Sequence, residues 1–325
     1  MLVVGLQGSP RKKGNTQFLL SSFMTAAEKF GARTRVIDVT RKEIVPCKEY
    51  TVCEKKGYCP IEDDVKDEIY PALREADIVV VASPIFFYNM TAQLKAVVDR
   101  CQTFWARKYK LKLKDPGAGM RRGILLAVGA TKGKNLFEGL NLTTQYFFDA
   151  IWAKFEDSLT YRGIEGPKDM ANHPTMAEDV DRAAEKILKP FQGRKKVLFA
   201  CRENACRSQM ASAFAQFLAG DILDVSNGGS EPVEKINPDM VKVMHERGID
   251  MEFRSPRSIE TAIADNPPEL IITMGCGEQC PLVPGAQIVD WDLPDPAGRP
   301  LEFMRNVRDE IEDKVVSLIA EIKKN

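Results

Sequence analysis

An excess of charge of either sign is missing from this chain: 46 Lys and Arg balance 46 Asp and Glu over 325 residues. Without a net field, attraction to nucleic acid or to an anionic membrane is not expected, and a small molecule is the natural substrate class. Long apolar runs are missing too, so no stretch is expected to cross a bilayer. The N-terminus opens on the short run Leu2-Val3-Val4-Gly5-Leu6 and lacks the basic segment, apolar core and cleavage site of a signal peptide. A cytoplasmic location is therefore expected. There, the 8 cysteines read as catalytic, metal-binding or buried thiols rather than as a disulfide framework. Histidine is scarce, and His173 and His245 stand in no site motif. Short repeats and low-complexity tracts are absent. What is present, 44% hydrophobic and 28% charged residues, suits a globular enzyme. The length exceeds what one core usually serves, which predicts two domains.

Short apolar runs alternate with helical patterns, as in parallel βαβ units. Strands are predicted at 2–6, 35–39, 78–82, 123–128 and 155–159, and helices at 16–30, 64–74, 92–105, 136–151 and 176–188. Continuous runs such as Ile78-Val79-Val80-Val81 suit strands covered on both faces. The pattern restarts after Pro190-Phe-Gln-Gly193, with strands at 197–200, 222–226, 270–273 and 287–289 and helices at 208–219, 238–247 and 300–323. The fold class is thus α/β with two doubly wound parallel-sheet domains, 1–193 and 194–325. Each half opens with a strand, a tight loop and a helix, an arrangement that presents backbone amides to an oxyanion.

The second of these loops is Cys201-Arg-Glu-Asn-Ala-Cys-Arg-Ser208. Its spacing lets backbone N–H groups surround a tetrahedral oxyanion, with Cys201 at the base and Arg207 gripping the oxygens bidentately. The following helix adds positive potential, which favours a thiolate nucleophile. Asn204 and Ser208 can orient the loop or hydrogen-bond the sulfur. Cys206 is given no role.

Residues 196–325 resemble the low-molecular-weight protein tyrosine phosphatase fold and, within it, the thioredoxin-coupled arsenate reductases. The text that carries the resemblance is 198–210, Ser226-Asn-Gly-Gly229, Ile271-Ile-Thr-Met-Gly-Cys-Gly-Glu-Gln-Cys-Pro281 and Trp291-Asp-Leu-Pro-Asp-Pro-Ala-Gly298. The resemblance implies Cys201 as nucleophile, Arg207 as oxyanion clamp and Asp295 as general acid. It implies that Cys276 and Cys280 continue a thiol relay reducing arsenate to arsenite, with thioredoxin as a possible reductant. A phosphatase needs no second thiol. Ala297 and Gly298 stand where the tyrosine phosphatase branch carries aromatic walls, which favours a small inorganic oxyanion.

In the first half, the loop Gly8-Ser9-Pro10-Arg11-Lys12-Lys13-Gly14-Asn15-Thr16 offers amides, hydroxyls and cations to a phosphate. The segment Ser83-Pro-Ile-Phe-Phe-Tyr-Asn-Met90 can wall a flat ring. Together they resemble the NADPH-dependent FMN reductase and iron–sulfur flavoprotein families. The resemblance implies FMN, with its phosphate at Ser9, Arg11, Asn15 and Thr16 and its ring at Pro84, Ile85, Phe86, Phe87 and Asn89. The loop 128–132, including Gly129, is a third wall, and NADPH or NADH is the hydride donor. A homodimer is also implied.

Iron–sulfur flavoproteins carry the pattern Pro-Cys-x2-Cys-x2-Cys-x5-Cys. This chain has Cys47, Tyr50, Cys53 and Cys59, so tyrosine replaces one ligand and a four-iron cluster is not expected. The expected metal ligands are none. Three other readings stay open: a tyrosine phosphatase beside a flavin reductase, an independent quinone or organoarsenical reductase, and an arsenic or redox sensor without turnover.

Overall fold

The computed structural model describes residues 1–275 and 283–324. By density of contacts the chain forms two units: Met1–Lys112 with Met120–Gln192, and Leu113–Gly119 with Gly193–Asn325. Residues 113–119 lie inside the range predicted for the first domain but group with the second unit. There Lys114 N–H donates to Gly248 at 2.7 Å, and Asp250 N–H donates to the Lys114 carbonyl at 2.9 Å.

The first unit contains β1 (Leu2–Gln7), α1 (Asn15–Lys29), β2 (Arg33–Asp38), α2 (Val52–Lys56), α3 (Tyr70–Glu75), β3 (Ile78–Pro84), α4 (Ala92–Arg100), α5 (Gln102–Tyr109), β4 (Arg122–Gly129), α6 (Glu138–Ala150), β5 (Lys154–Arg162) and α7 (Met176–Leu188). Its sheet runs β2-β1-β3-β4-β5 with every pair parallel. The order turns back at β1 and β3. At that switch point the loops leaving the two carboxyl ends diverge and open a crevice. The central strands are buried, as unbroken Val/Ile/Leu runs demand. On one face α1 inserts Leu19, Leu20, Phe23 and Ala27, an i, i+1, i+4, i+8 stripe, into a core that α7 completes with Val180, Ala184 and Ile187.

Two predicted helices differ in detail. The run at 92–105 breaks at Cys101, whose ψ of 2° ends α4, while its carbonyl accepts from Phe104 N–H and starts α5. The run at 64–74 begins as a π-turn, Val65–Ile69, before α3. Helix α2, which carries Cys53, lies where no helix was predicted.

The second unit contains β6 (Lys195–Cys201), α8 (Arg207–Ala219), β7 (Leu223–Gly229), α9 (Pro238–Glu246), α10 (Ile259–Asp265), β8 (Leu270–Thr273), β9 (Gln287–Asp290) and α11 (Leu301–Lys324). Its parallel sheet runs β7-β6-β8-β9. Helices α8, α9 and α11 cover one face through Met210, Phe214, Val243, Ile311 and Val315. Helix α10 covers the other with Ile259 and Ala262. It was not anticipated: at seven residues it is too short to show a helical period, and it starts on the Ser258 cap, whose hydroxyl accepts Thr261 N–H. No described helix is long and apolar enough to cross a membrane.

Candidate functional site

In the second unit the loop between β6 and α8 is held from outside. Backbone N–H groups of Ser230, Glu231, Val233 and Asn237 donate to the carbonyls of Cys201, Arg202, Glu203 and Ala205. In a trans peptide the next residue's N–H points opposite the carbonyl. Pulling these four carbonyls outward therefore turns the amides of 202, 203, 204 and 206 inward, forming an anion cradle. The cradle ends on the N-terminus of α8, whose Ncap residue, Cys206, makes no side-chain cap.

Cys201 is buried at the foot of this cradle, and its Sγ lies 2.9 Å from Ser208 Oγ. The Ser208 oxygen already accepts from Asn204 Nδ2 at 2.7 Å, so its own hydrogen is available to the sulfur. Asn204 is fully buried in the left-handed region, with φ +52°. Its Nδ2 also donates to Asn227 Oδ1 at 2.9 Å, and its Oδ1 accepts Arg257 N–H at 2.9 Å. Asn227, Gln209 and Arg254 extend this network, with Arg254 Nη1 donating to Ser212 Oγ at 3.0 Å. Sequence reasoning assigned none of these three a role. The one available signal was Asn227 in the Ser-Asn-Gly-Gly text. Gly229 explains that text: a Cβ there would stand 2.6 Å from the Arg202 carbonyl and 2.8 Å from Asn204 N.

Arg207 is buried, with Nη1 donating to the Leu293 carbonyl at 2.9 Å and Nη2 paired to Asp295 Oδ2 at 3.1 Å. Gly275 packs behind it, with φ +60° and a Cβ position 3.2 Å from Nη1. Asp295 is half-exposed, and its Oδ1 accepts Ala297 N–H. Cys201, Arg207, Asp295, Asn204 and Ser208 are therefore brought together. Cys276 and Cys280 lie outside the described residues. Burial, followed by the neighbouring Cys201, pushes the Cys206 thiol up to about 12, so Cys206 stays protonated at neutral pH.

In the first unit a cavity of about 220 Å³ opens at the carboxyl ends of β1, β3 and β4. Ser9, Arg11, Asn15, Thr16, Pro84, Ile85 and Phe86 line it. The Ncap of α1 is Gly14, which spends no side chain on the first-turn amides and leaves them for an anion. The Asn15 side chain is engaged elsewhere. Its Nδ2 donates to Gly166 O at 2.9 Å and its Oδ1 accepts Met170 N–H at 3.1 Å, which fixes the loop after β5.

Three expected residues do not line this cavity. Phe87 is fully exposed at φ +49°. Asn89 is committed to Thr143 Oγ1 and Met90 N–H. Gly129 itself lies against Leu136, 2.6 Å from a Cβ placed there, while Val128 and Ala130 on either side of it line the cavity as the expected third wall. Ile164 and Glu165 also line the cavity and were not anticipated. Their position after the fifth strand was the signal, since ligands in such sheets sit outside the carboxyl ends. Apolar walls with hydroxyls, a guanidinium and free helix amides at one end suit a planar ring carrying a phosphate.

Residues 1–135 match the family described as NADPH-dependent FMN reductase, and residues 196–325 match low molecular weight phosphotyrosine protein phosphatase. An iron–sulfur flavoprotein of Methanocaldococcus jannaschii is 38% identical over 132 residues, 41% of this chain and 64% of that protein. The chain thus spans less than two thirds of that relative. A glutaredoxin arsenate reductase of Synechocystis is 38% identical over 130 residues, 39% of this chain and 98% of that protein. Arsenate reductase 2 of Staphylococcus haemolyticus is 34% identical over 128 residues, 38% of this chain and 95% of that protein. The chain is a fusion: residues 1–135 match the NADPH-dependent FMN reductase model, and its second part belongs to the low molecular weight phosphotyrosine protein phosphatase family alongside these arsenate reductases.

The name of the first relative raises the question of a cluster. Cys47, Cys53 and Cys59 line one cavity of about 450 Å³, together with Tyr50. A four-iron cluster takes four thiolates. Three thiols and a phenol occupy the corresponding positions, so the donor set does not fit that group. Among the described residues no three His, Cys, Asp or Glu side chains are spaced to hold a metal ion.

Proposed function

We propose that the chain is an arsenate reductase working through a cysteine relay, with residues 194–325 as the reducing unit and residues 1–193 as a fused flavin unit. The observation that carries this reading is the Cys201 sulfur beside the Ser208 hydroxyl, in a cradle of inward amides gated by Arg207 and Asp295. The Cys201 sulfur attacks arsenic while the amides and Arg207 hold the oxygens. One As–O bond breaks, and Asp295 protonates the leaving oxygen, which departs as water. Cys276 then attacks the Cys201 sulfur. The electron pair of the As–S bond passes to arsenic, which leaves as arsenite, and a Cys201–Cys276 disulfide forms. Cys280 attacks Cys276, frees Cys201 and leaves a Cys276–Cys280 disulfide for two-electron reduction.

In the first unit Ser9, Arg11, Thr16 and the first amides of α1 would hold the phosphate of FMN, with Pro84, Ile85 and Phe86 against its ring. Bound there, FMN supplies two-electron chemistry from NADPH or NADH, matching in number what the relay consumes; thioredoxin is the alternative external donor.

The test is anaerobic NADPH oxidation by FMN-loaded protein, with and without arsenate. Arsenate-dependent oxidation that disappears in Cys201→Ser is expected. Oxidation indifferent to arsenate would reject coupling within the chain, and adding thioredoxin then tests the relay alone. Aryl phosphate turnover retained in full by Cys276→Ser, without arsenite production by the wild type, would reassign the second unit to phosphate-ester hydrolysis.

A further inference from the structure

We propose that Cys47, Cys53 and Cys59 form a binding site for trivalent arsenic, the inorganic arsenite that the second unit is read to release. The inference draws on that reading only for the source of the ligand.

The three thiols line one cavity floored by Arg100. Cys47 is exposed, on a segment without regular structure, whereas Cys53 on α2 and Cys59 are half-buried. A four-iron cluster wants four thiolates and a structural zinc site of the three-cysteine type a histidine, and these sulfurs complete neither. No histidine lines the cavity, and Tyr50 occupies the spacing of the missing thiol. Trivalent arsenic has a lone pair in its fourth direction and is satisfied by three sulfurs. Thiolates also select soft centres over the hard ones that Glu49, Glu54 and Asp99 on the rim would prefer.

A second feature comes from the floor. Arg100 is almost completely buried and paired with Asp63, with Nη2 3.1 Å from Asp63 Oδ1. Its Nε is buried without a hydrogen-bond partner. A buried donor left unpaired is costly, and Arg100 lines the same cavity as the three thiols.

The chemistry needs no oxidant. Three S–H groups condense with As(OH)3, forming three As–S bonds, breaking three As–O bonds and releasing three waters. Arsenic remains trivalent throughout. Burial, then the neighbouring Cys59 and Cys47, holds the Cys53 thiol above its ordinary range, in the protonated form that this condensation uses. As they stand the thiols are not at ligand spacing, so binding must draw the exposed, irregular segment that carries Cys47 toward Cys53 and Cys59.

The experiment uses the full chain, reduced and anaerobic, with added sodium arsenite. After gel filtration the remaining thiols are alkylated and each cysteine is mapped by mass spectrometry. Cys47, Cys53 and Cys59 should be protected together by one arsenic. Cys47→Ser, a substitution at an exposed position, should weaken retention at these residues by at least about tenfold. Equal alkylation of the three with and without arsenite overturns the proposal. So does protein that emerges from anaerobic purification with zinc, or with iron and acid-labile sulfide, lost on Cys53→Ser. Because arsenite is supplied, failure here leaves arsenate turnover untouched. Loss of arsenate turnover with protection intact would remove only the reading of the second unit.

Discussion

Asn204→Ala should loosen the anion cradle more than its single side chain suggests. Two effects add. The fully buried amide binds Ser208 Oγ, Asn227 Oδ1 and Arg257 N–H. Asn227 Oδ1 keeps the Gln209 Nε2 donor, so removal strands Ser208 Oγ and Arg257 N–H, at about 1 kcal/mol each and roughly 2 kcal/mol together. Alanine must also take φ +52°, where a β-carbon costs about 1 kcal/mol that asparagine partly avoids. The sum is about 3 kcal/mol, or two decades in a local opening constant. Asn204→Gly removes the same hydrogen bonds without the backbone penalty and should recover about 1 kcal/mol.

Hydrogen exchange read by mass spectrometry on peptides spanning 201–219 is the suitable assay. A global melt would mix two units that need not unfold together. Exchange there should accelerate roughly 100-fold in Asn204→Ala and distinctly less in Asn204→Gly. Arsenate turnover should fall in both, because Ser208 loses the donor that directs its hydrogen to Cys201. Exchange within about threefold of wild type, identical in the two variants, would refute both the network and the strain argument.

Three further outcomes follow from the geometry. Gly229→Ala places a Cβ 2.6 Å from a backbone carbonyl that cannot yield cheaply. It should abolish oxyanion binding, measured by phosphate or arsenate titration, while the helical circular dichroism stays intact. Asp63→Ala leaves the Arg100 guanidinium buried and uncompensated, which should destabilise the first unit by about 3–5 kcal/mol. Fast exchange in the α4 peptide checks this, and unchanged protection would discount the ion pair. Hydrogen bonds from Arg305 hold the Glu246 carboxyl down to about 2. The unfolded chain protonates this group first, near about pH 4.3. Its contribution is therefore complete above that pH and is lost as pH falls toward 2. The α9 and α11 peptides should exchange faster across that window, and Glu246→Gln should flatten the dependence.

Local chemistry written along the chain was legible without a structure. Period and punctuation placed the sheets because a buried parallel strand must be apolar on both faces, as Ile78–Ala82 is. A thiol six residues before an arginine, between a strand and a helix, was also a local pattern. What needed distant residues was not legible. Cys101 breaks a helix without proline or glycine, and α10 is too short to show a period. Asn15 looked free to hold phosphate but is bound to Gly166 and Met170, more than 150 residues away.

The sequence by itself determined the two α/β halves and the Cys201–Arg207 loop, because spacing along a strand, turn and helix determines what a loop can wrap. Only the tertiary structure decided the direction of the loop's amides. The amides of Ser230, Glu231, Val233 and Asn237 pull its carbonyls outward. Likewise, only the fold set Arg100 against the cavity that Cys47, Cys53 and Cys59 line. The physical reason is the same in both cases: a hydrogen-bond or cavity partner far off in the chain leaves no period or spacing by which it can be read.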